Sequence, residues 1–183
     1  MASDFSIRHA AHVIRNGGII AYPTDTIYGL GCNPYNAQAV HEVNQLKQRP
    51  QNKQFILLAG DIEQIKPLIV LDEEQQVRIT QTSEPTSWIA DASPQAPAWL
   101  TDQRNTLSIR VTDNALVKKL CAALGHAIIS TSANPSGKKP AHNSLELHRY
   151  FHGRVDKILA SQKKLTARPS KIIRLCDNRV IRE

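Results

Sequence analysis

Aromatic residues make up only 5% of this 183-residue chain, too few for the row of stacking rings on which single-stranded nucleic acids are held. Cysteine is also scarce. Cys32, Cys121 and Cys176 are odd in number, far apart and outside any CxxC pair, which argues against a disulfide framework and a zinc knuckle alike. Reduced thiols are expected. No apolar run approaches the roughly 20 residues that a membrane helix needs. The opening "MASDFSIRHAAHVIRNGG" has neither a basic start leading into an apolar stretch nor a cleavage-like site. A soluble, cytoplasmic protein without membrane contact is therefore expected. Repeats and low-complexity linkers are missing too, and 41% hydrophobic residues suit one domain over 1–183 with a continuous core.

Positive charge, in contrast, is in excess: 23 Lys and Arg against 16 Asp and Glu leave a formal net charge of +7. It gathers between positions 47 and 53, at Lys138 and Lys139, and from 157 through 182. Such a surface calls for an anionic partner, whether nucleotide, RNA or phosphate-bearing substrate.

Ile7, Ala10, Ala11 and Ile14 recur at helical spacing, with Gly17 and Gly18 as a stop. "IIAYP" reads as a buried strand and "TDTIYGLGCNPYN" as a loop of small, turn-forming residues. Asn36 is placed to cap a helix through Val40, Val43 and Leu46 that Pro50 ends. "QFILLAG" predicts a strand, 62–77 a helix interrupted at Pro67, and "TLSIRV" a strand by its alternation. "NALVKKLCAALG" carries Asn114 as cap and Gly125 as C-terminal glycine, and leads into strand "AIIST". A helix over 145–151 and strands at "VDKILA", "KIIRL" and "RVIRE" follow. The Pro-rich stretch around "TSWIA" predicts a surface excursion with at most a short strand. Interleaved strands and helices predict an α/β or α+β domain around a mixed, twisted sheet.

Three segments place small hydroxyls, glycines or cations beside strand ends, where open α/β sheets take ligands. "YPTDTIYGLG" is either a ligand contact or a tight turn between strands. In "LKQRP", Lys47 and Arg49 diverge on a continuous helix and converge only where Pro50 unwinds it. Lys47 also suits a helix C-terminus, whereas the planar fork of Arg49 suits phosphate or carboxylate. "IISTSANPSGKKP" lacks the glycine spacing of a phosphate-binding P-loop. A polar turn and an anion cradle of backbone N–H groups both remain open for it. His148 and His152 are four apart but lack the glutamate of HExxH and a third ligand. Trp88 and Trp99 read as packing or loop anchors.

Taken in series, "GGIIAYPTDTIYGLGCNP", "LKQRP", "LSIRV" and "STSANPSGKKP" resemble the YrdC-like family, most closely its short bacterial form. The resemblance runs over nearly the whole chain. It implies a twisted α/β domain with a basic concave face. The implied reaction joins ATP, L-threonine and bicarbonate into threonylcarbamoyl-adenylate with release of pyrophosphate, Mg²⁺ arriving with the nucleotide. That product would feed partner proteins that modify tRNA next to the anticodon, and contact with tRNA or double-stranded RNA is compatible with it. By position, the resemblance assigns Thr26, Arg110, Ser132 and Ser170 to threonine. Arg49, Thr106, Ser130, Asn134 and Arg182 fall to ATP, and Lys47 between the two substrates, with Lys47 and Arg49 as the catalytic pair. No protein metal ligand is assigned. The chain departs from many relatives at "SEPTSW", where they carry PGPxT, and at "RPSK", where they carry PST. The competing reading of the same charge is an RNA-binding or ribosome-assembly protein without catalysis.

Overall fold

The computed structural model describes residues 3–48, 54–151, 153–160, 165 and 169–183. Helix α1 (Asp4–Arg15) starts where the Ser3 hydroxyl accepts the Ser6 N–H, and it buries Ile7, Ala10, Ala11 and Ile14. β1 (Ile20–Pro23) and β2 (Tyr28–Gly31) follow, both wholly buried. Asn36 caps α2 (Ala37–Lys47), whose stripe of Ala39, Val40, Val43 and Leu46 faces inward. The helix ends on Gln48, which is left-handed at φ 51°, so the chain does unwind just beyond Lys47.

After β3 (Ile56–Ala59) come two single 3₁₀ turns and α3 (Glu73–Gln81), then β4 (Thr86–Asp91), β5 (Thr106–Val111) and α4 (Ala115–Leu124). Asn114 caps α4 through the N–H groups of Leu116 and Val117, and Gly125 closes it at φ 82°. β6 (Ile128–Ser132), α5 (Ser144–Phe151), β7 (Lys157–Ile158), β8 (Lys171–Arg174) and β9 (Val180–Arg182) complete the order.

The strands form one mixed sheet in the order β7-β1-β2-β6-β3-β5-β4-β8-β9. Three neighbour pairs, β7/β1, β3/β5 and β4/β8, are parallel. Because side chains alternate across a strand, each face is set by register. One face carries the larger core: Ala21, Leu30, Leu57, Trp88, Leu107, Ile109 and Ile129 under α2, α3 and α5. The other is covered at one end, where α1 and α4 pack Ile14, Val117 and Leu120 against Ile20, Tyr22, Leu58 and Ile128.

Four expectations need correction. The expected loop at 24–36 contains β2, because pairing on both sides, with β1 and β6, places "YGLG" inside the sheet; burial overrides the low strand propensity of glycine. The interrupted helix at 62–77 is two 3₁₀ turns followed by a later helix. Separate capping boxes, Asp61 with Gln64 and Asp72 with Gln75, start new elements on either side of Pro67. "VDKILA" is ladder-paired over only Lys157 and Ile158. The short strand at "TSWIA", in turn, is an interior strand between β5 and β8, with Trp88 buried.

Candidate functional site

Where the cover of α1 and α4 stops, the same sheet face forms a groove with a cavity volume of about 220 Å³. Register lays its floor in rows: Ser130, Ile56 and Ser108 stand side by side across β6, β3 and β5, and Ile89 of β4 carries the same row on beyond the groove. Leu58 separates Ile128 from Arg110 in the next row. Tyr22, Gly29 and Ser132 form a third row across β1, β2 and β6. The β1–β2 turn adds Thr24 and Thr26, and the segment entering β8 adds Pro169 and Ser170.

The turn is held by one hydroxyl. Thr24 Oγ1 donates to the Ile27 carbonyl at 2.7 Å and accepts the N–H groups of Thr26 and Ile27 at 3.1 and 3.2 Å. The Thr26 hydroxyl sits 3.1 Å from it. That fold brings Asp25 across to Arg110, which is 5% exposed; Arg110 Nη2 donates to Asp25 Oδ2, which also accepts from the Thr112 hydroxyl at 3.3 Å. Arg110 thus enters the groove wall already oriented by a carboxylate.

On the opposite wall, Ser170 Oγ and the fully buried Ser87 Oγ share a hydrogen bond of 2.8 Å, and Arg182 Nη2 donates to the Ser170 carbonyl at 2.7 Å. Desolvation lowers the Arg182 pKa from its ordinary value, without threatening a charge that guanidinium keeps at any physiological pH. Groove hydroxyls, an amide and two cations can together hold an anionic ligand and a small polar one.

The "STSANPS" segment is a braced loop. Lys47 Nζ, on a residue 4% exposed, donates to the carbonyls of Ser132 and Asn134, the latter at 2.7 Å, and the Ser136 N–H returns to the Lys47 carbonyl at 2.8 Å. Asn134 Nδ2 donates to the carbonyls of Pro135 and Lys138 at 3.0 and 2.7 Å.

A model of the Sua5/YciO/YrdC family, described as telomere recombination, matches residues 12–183. The chain belongs to this family. Among Sua5/YciO/YrdC relatives, the threonylcarbamoyl-AMP synthase of Cellvibrio japonicus is 40% identical over 178 residues, covering 96% of this chain and 94% of its own. That of Pseudomonas putida is 39% identical over 184 residues, covering 100% and 99%. E. coli YciO superposes with a TM-score of 0.89 at 27% identity, over 99% of this chain and 90% of that one. P. abyssi Sua5, solved with L-threonine, superposes at 0.87 and 27% identity over 94% of this chain, which spans 51% of that longer protein.

Of the residues expected from the YrdC-like resemblance, Thr26, Arg110, Ser130, Ser132, Asn134, Ser170 and Arg182 all line the one groove. Two stand apart. Lys47 does not line it but braces the loop that does. Thr106 lies at the start of β5, two residues from Ser108, and lines a separate cavity of about 150 Å³ with Asp91, Asp102 and Arg174. Its hydroxyl donates to Asp102 at 3.1 Å. Arg49 and His152 lie outside the described residues. Trp88 packs in the core, and Trp99 anchors a loop by donating from its indole to the Pro34 carbonyl at 3.0 Å.

Sequence reasoning passed over Ser108, Ser87 and Gln54. The alternation in "TLSIRV" points to Ser108, because period two puts it on the face of Arg110. Gln54, which accepts from Ser108 at 3.1 Å and donates to the Thr106 carbonyl at 2.5 Å, carries no comparable signal.

Proposed function

We propose that this protein is a threonylcarbamoyl-AMP synthase, joining ATP, L-threonine and bicarbonate or carbon dioxide with release of pyrophosphate. The observation that carries the reading is the collection of two arginines and the small hydroxyls of four separate segments in one groove, in a chain 40% identical over nearly its whole length to a protein of that name. In this reading Arg110 takes the threonine carboxylate, and Thr26, Ser132 and Ser170 discriminate the small hydroxy amino acid by hydrogen bonds. Ser130, Asn134 and Arg182, with Arg49 and Thr106, hold the nucleotide.

The chemistry asks mainly for alignment. The threonine amine adds to carbon dioxide, losing a proton, and gives a carbamate. A carbamate oxygen then forms the bond to the α-phosphorus as the bond from that phosphorus to the bridging oxygen breaks, releasing pyrophosphate. Fixing three reactants and neutralising phosphate charge supply the rate enhancement. Lys47 contributes by holding the shape of the "STSAN" loop. Among the described residues no three His, Cys, Asp or Glu side chains gather as a metal site, and Asp25 is engaged by Arg110. Mg²⁺ is assigned to the substrate, held by phosphate oxygens and water.

Among the described residues no helix is long and apolar enough to cross a membrane. The net charge of +7 fits a further contact with tRNA or with a tRNA-bound protein that consumes the adenylate. The test is pyrophosphate release with omission controls: release requires ATP, threonine and bicarbonate together. Release indifferent to threonine overturns the proposal, and salt-sensitive RNA binding without any such release would favour the non-catalytic reading.

A further inference from the structure

Ser108 stands on the groove floor with its proton already committed. It is 7% exposed, lines the groove beside Gln54 and Arg110, and donates to Gln54 Oε1 at 3.1 Å. A backbone carbonyl fixes the direction of that bond. Gln54 Nε2 donates to the Thr106 carbonyl at 2.5 Å, and because a carbonyl oxygen only accepts, the amide must turn its nitrogen to Thr106 and its oxygen to Ser108. An amide oxygen in turn only accepts. The Ser108 hydroxyl is therefore the donor of the pair, and among the described residues no N–H or O–H donates to Ser108 Oγ. What Ser108 offers to the groove is an acceptor.

We infer that Ser108 accepts a hydrogen bond from the amino nitrogen of threonine, and that Gln54 is the positioning residue that holds Ser108 as an acceptor. Register and chemistry both point to the amine. Ser108 and Arg110 are two residues apart on β5 and project from one face, so a threonine whose carboxylate meets Arg110 turns its neighbouring amine toward Ser108. An oriented acceptor gains little over a free hydroxyl when the ligand group is itself a hydroxyl, which donates or accepts as required. It matters for a group that only donates. The threonine ammonium is such a group, and its nitrogen keeps one N–H after carboxylation, so the same bond holds the carbamate while a carbamate oxygen meets the α-phosphorus. Without the Gln54 amide, Ser108 can accept from the amine only by leaving its own proton unpartnered in a nearly closed site, which is costly.

The inference rests on the proposed threonine site, and its test separates the two. Gln54→Leu, Ser108→Ala and the double variant are compared with the parent by thermal melting, pyrophosphate release and calorimetric binding of two probes: L-threonine, and the hydroxy acid that carries a hydroxyl in place of its amine. Gln54→Leu is expected to raise the Kd and KM for threonine about fivefold to tenfold, the worth of one hydrogen bond, while the Kd of the hydroxy acid stays within about twofold. In the Ser108→Ala background the same change has less than about a twofold effect on either probe. Should Gln54→Leu melt below the assay temperature, Gln54→Met, equally without an amide, takes its place. Equal weakening of both probes, an equal loss in both backgrounds, or no loss in the parent overturns the positioning role, and unchanged threonine binding in Ser108→Ala overturns the contact itself. If threonine binding shows the coupling while pyrophosphate release is indifferent to threonine, the reaction assignment fails and the inference stands. A parent that binds no threonine overturns both.

Discussion

Gly31→Ala puts a methyl group in place of a hydrogen where there is no room for it. Its Cβ would lie 2.7 Å from Tyr22 Cε1 and 2.8 Å from the Ile129 carbonyl oxygen, whereas carbon atoms rest about 3.5–4.0 Å apart. Neither neighbour can yield cheaply. The Tyr22 ring is fully buried, and Ile129 is fixed in β6, which pairs with β2 on one side and β3 on the other. Overpacking of a tight core costs about 1–3 kcal/mol, and two rigid contacts place this site toward the upper end. Removing glycine's freedom in the unfolded chain returns about 0.4–1 kcal/mol. The net expectation is a destabilisation of about 2 kcal/mol, or a melting temperature lower by about 4–8 °C in a domain of this size. Thermal and urea melts measure it, with an unchanged urea slope showing that the unfolded state is not the cause. Combining Gly31→Ala with Tyr22→Leu relieves the ring contact but not the carbonyl contact, so part of the strain should persist beyond the cost of Tyr22→Leu alone. A Gly31→Ala protein melting within about 1 °C of the parent would refute the packing argument.

Asp25→Ala leaves Arg110 buried without its carboxylate; such a loss costs about 3–5 kcal/mol in a fully buried pair and about 1–3 here, because Asp25 keeps 30% side-chain exposure. Urea denaturation checks this, and a loss under about 0.5 kcal/mol would mean that the pair behaves like an exposed one. Thiol reagents at pH 8 should label exposed Cys176 and spare Cys32 and Cys121 until the protein unfolds. Burial pushes both of these thiols from 9.0 up to about 12, so the unfolded chain releases their protons first. Their contribution to stability is complete below pH 9.0 and falls, by about 1.4 kcal/mol per pH unit for each thiol, as pH rises toward about 12. Replacing both with alanine should remove that part of the alkaline loss, and an unchanged slope would contradict the assignment.

Local rules made much of the frame legible. Asn36 and Asn114 cap the helices that their short polar side chains predict, Gly125 closes α4 in the left-handed region, and the spacing of Ile7, Ala10, Ala11 and Ile14 marks the buried stripe of α1. These features depend on residues within a turn or two of each other. β2 was not legible, because a strand with glycine at two of four positions owes its existence to partners far away in sequence. The two 3₁₀ turns were hidden for a related reason: the stretch reads as a helix interrupted at Pro67, and the capping boxes that divide it act only once the chain has turned.

The sequence alone determined the alternating α/β frame, the basic balance and, through its serial motifs, the family and the set of hydroxyls and arginines to look for. Tertiary structure decided how they meet. Sheet register put Ser130 and Ser108 in one row, and the β1–β2 turn carried Asp25 to Arg110. Lys47 turned inward to brace a loop, while Thr106 was set in a neighbouring cavity. The reason is that a motif states which groups are present within a few residues, whereas distances between groups on different strands follow from pairing and packing summed over the whole sheet. The "YGLG" strand shows this most directly: its glycines read as a turn in sequence, and only the Tyr22 ring lying against them reveals what the missing side chains make room for.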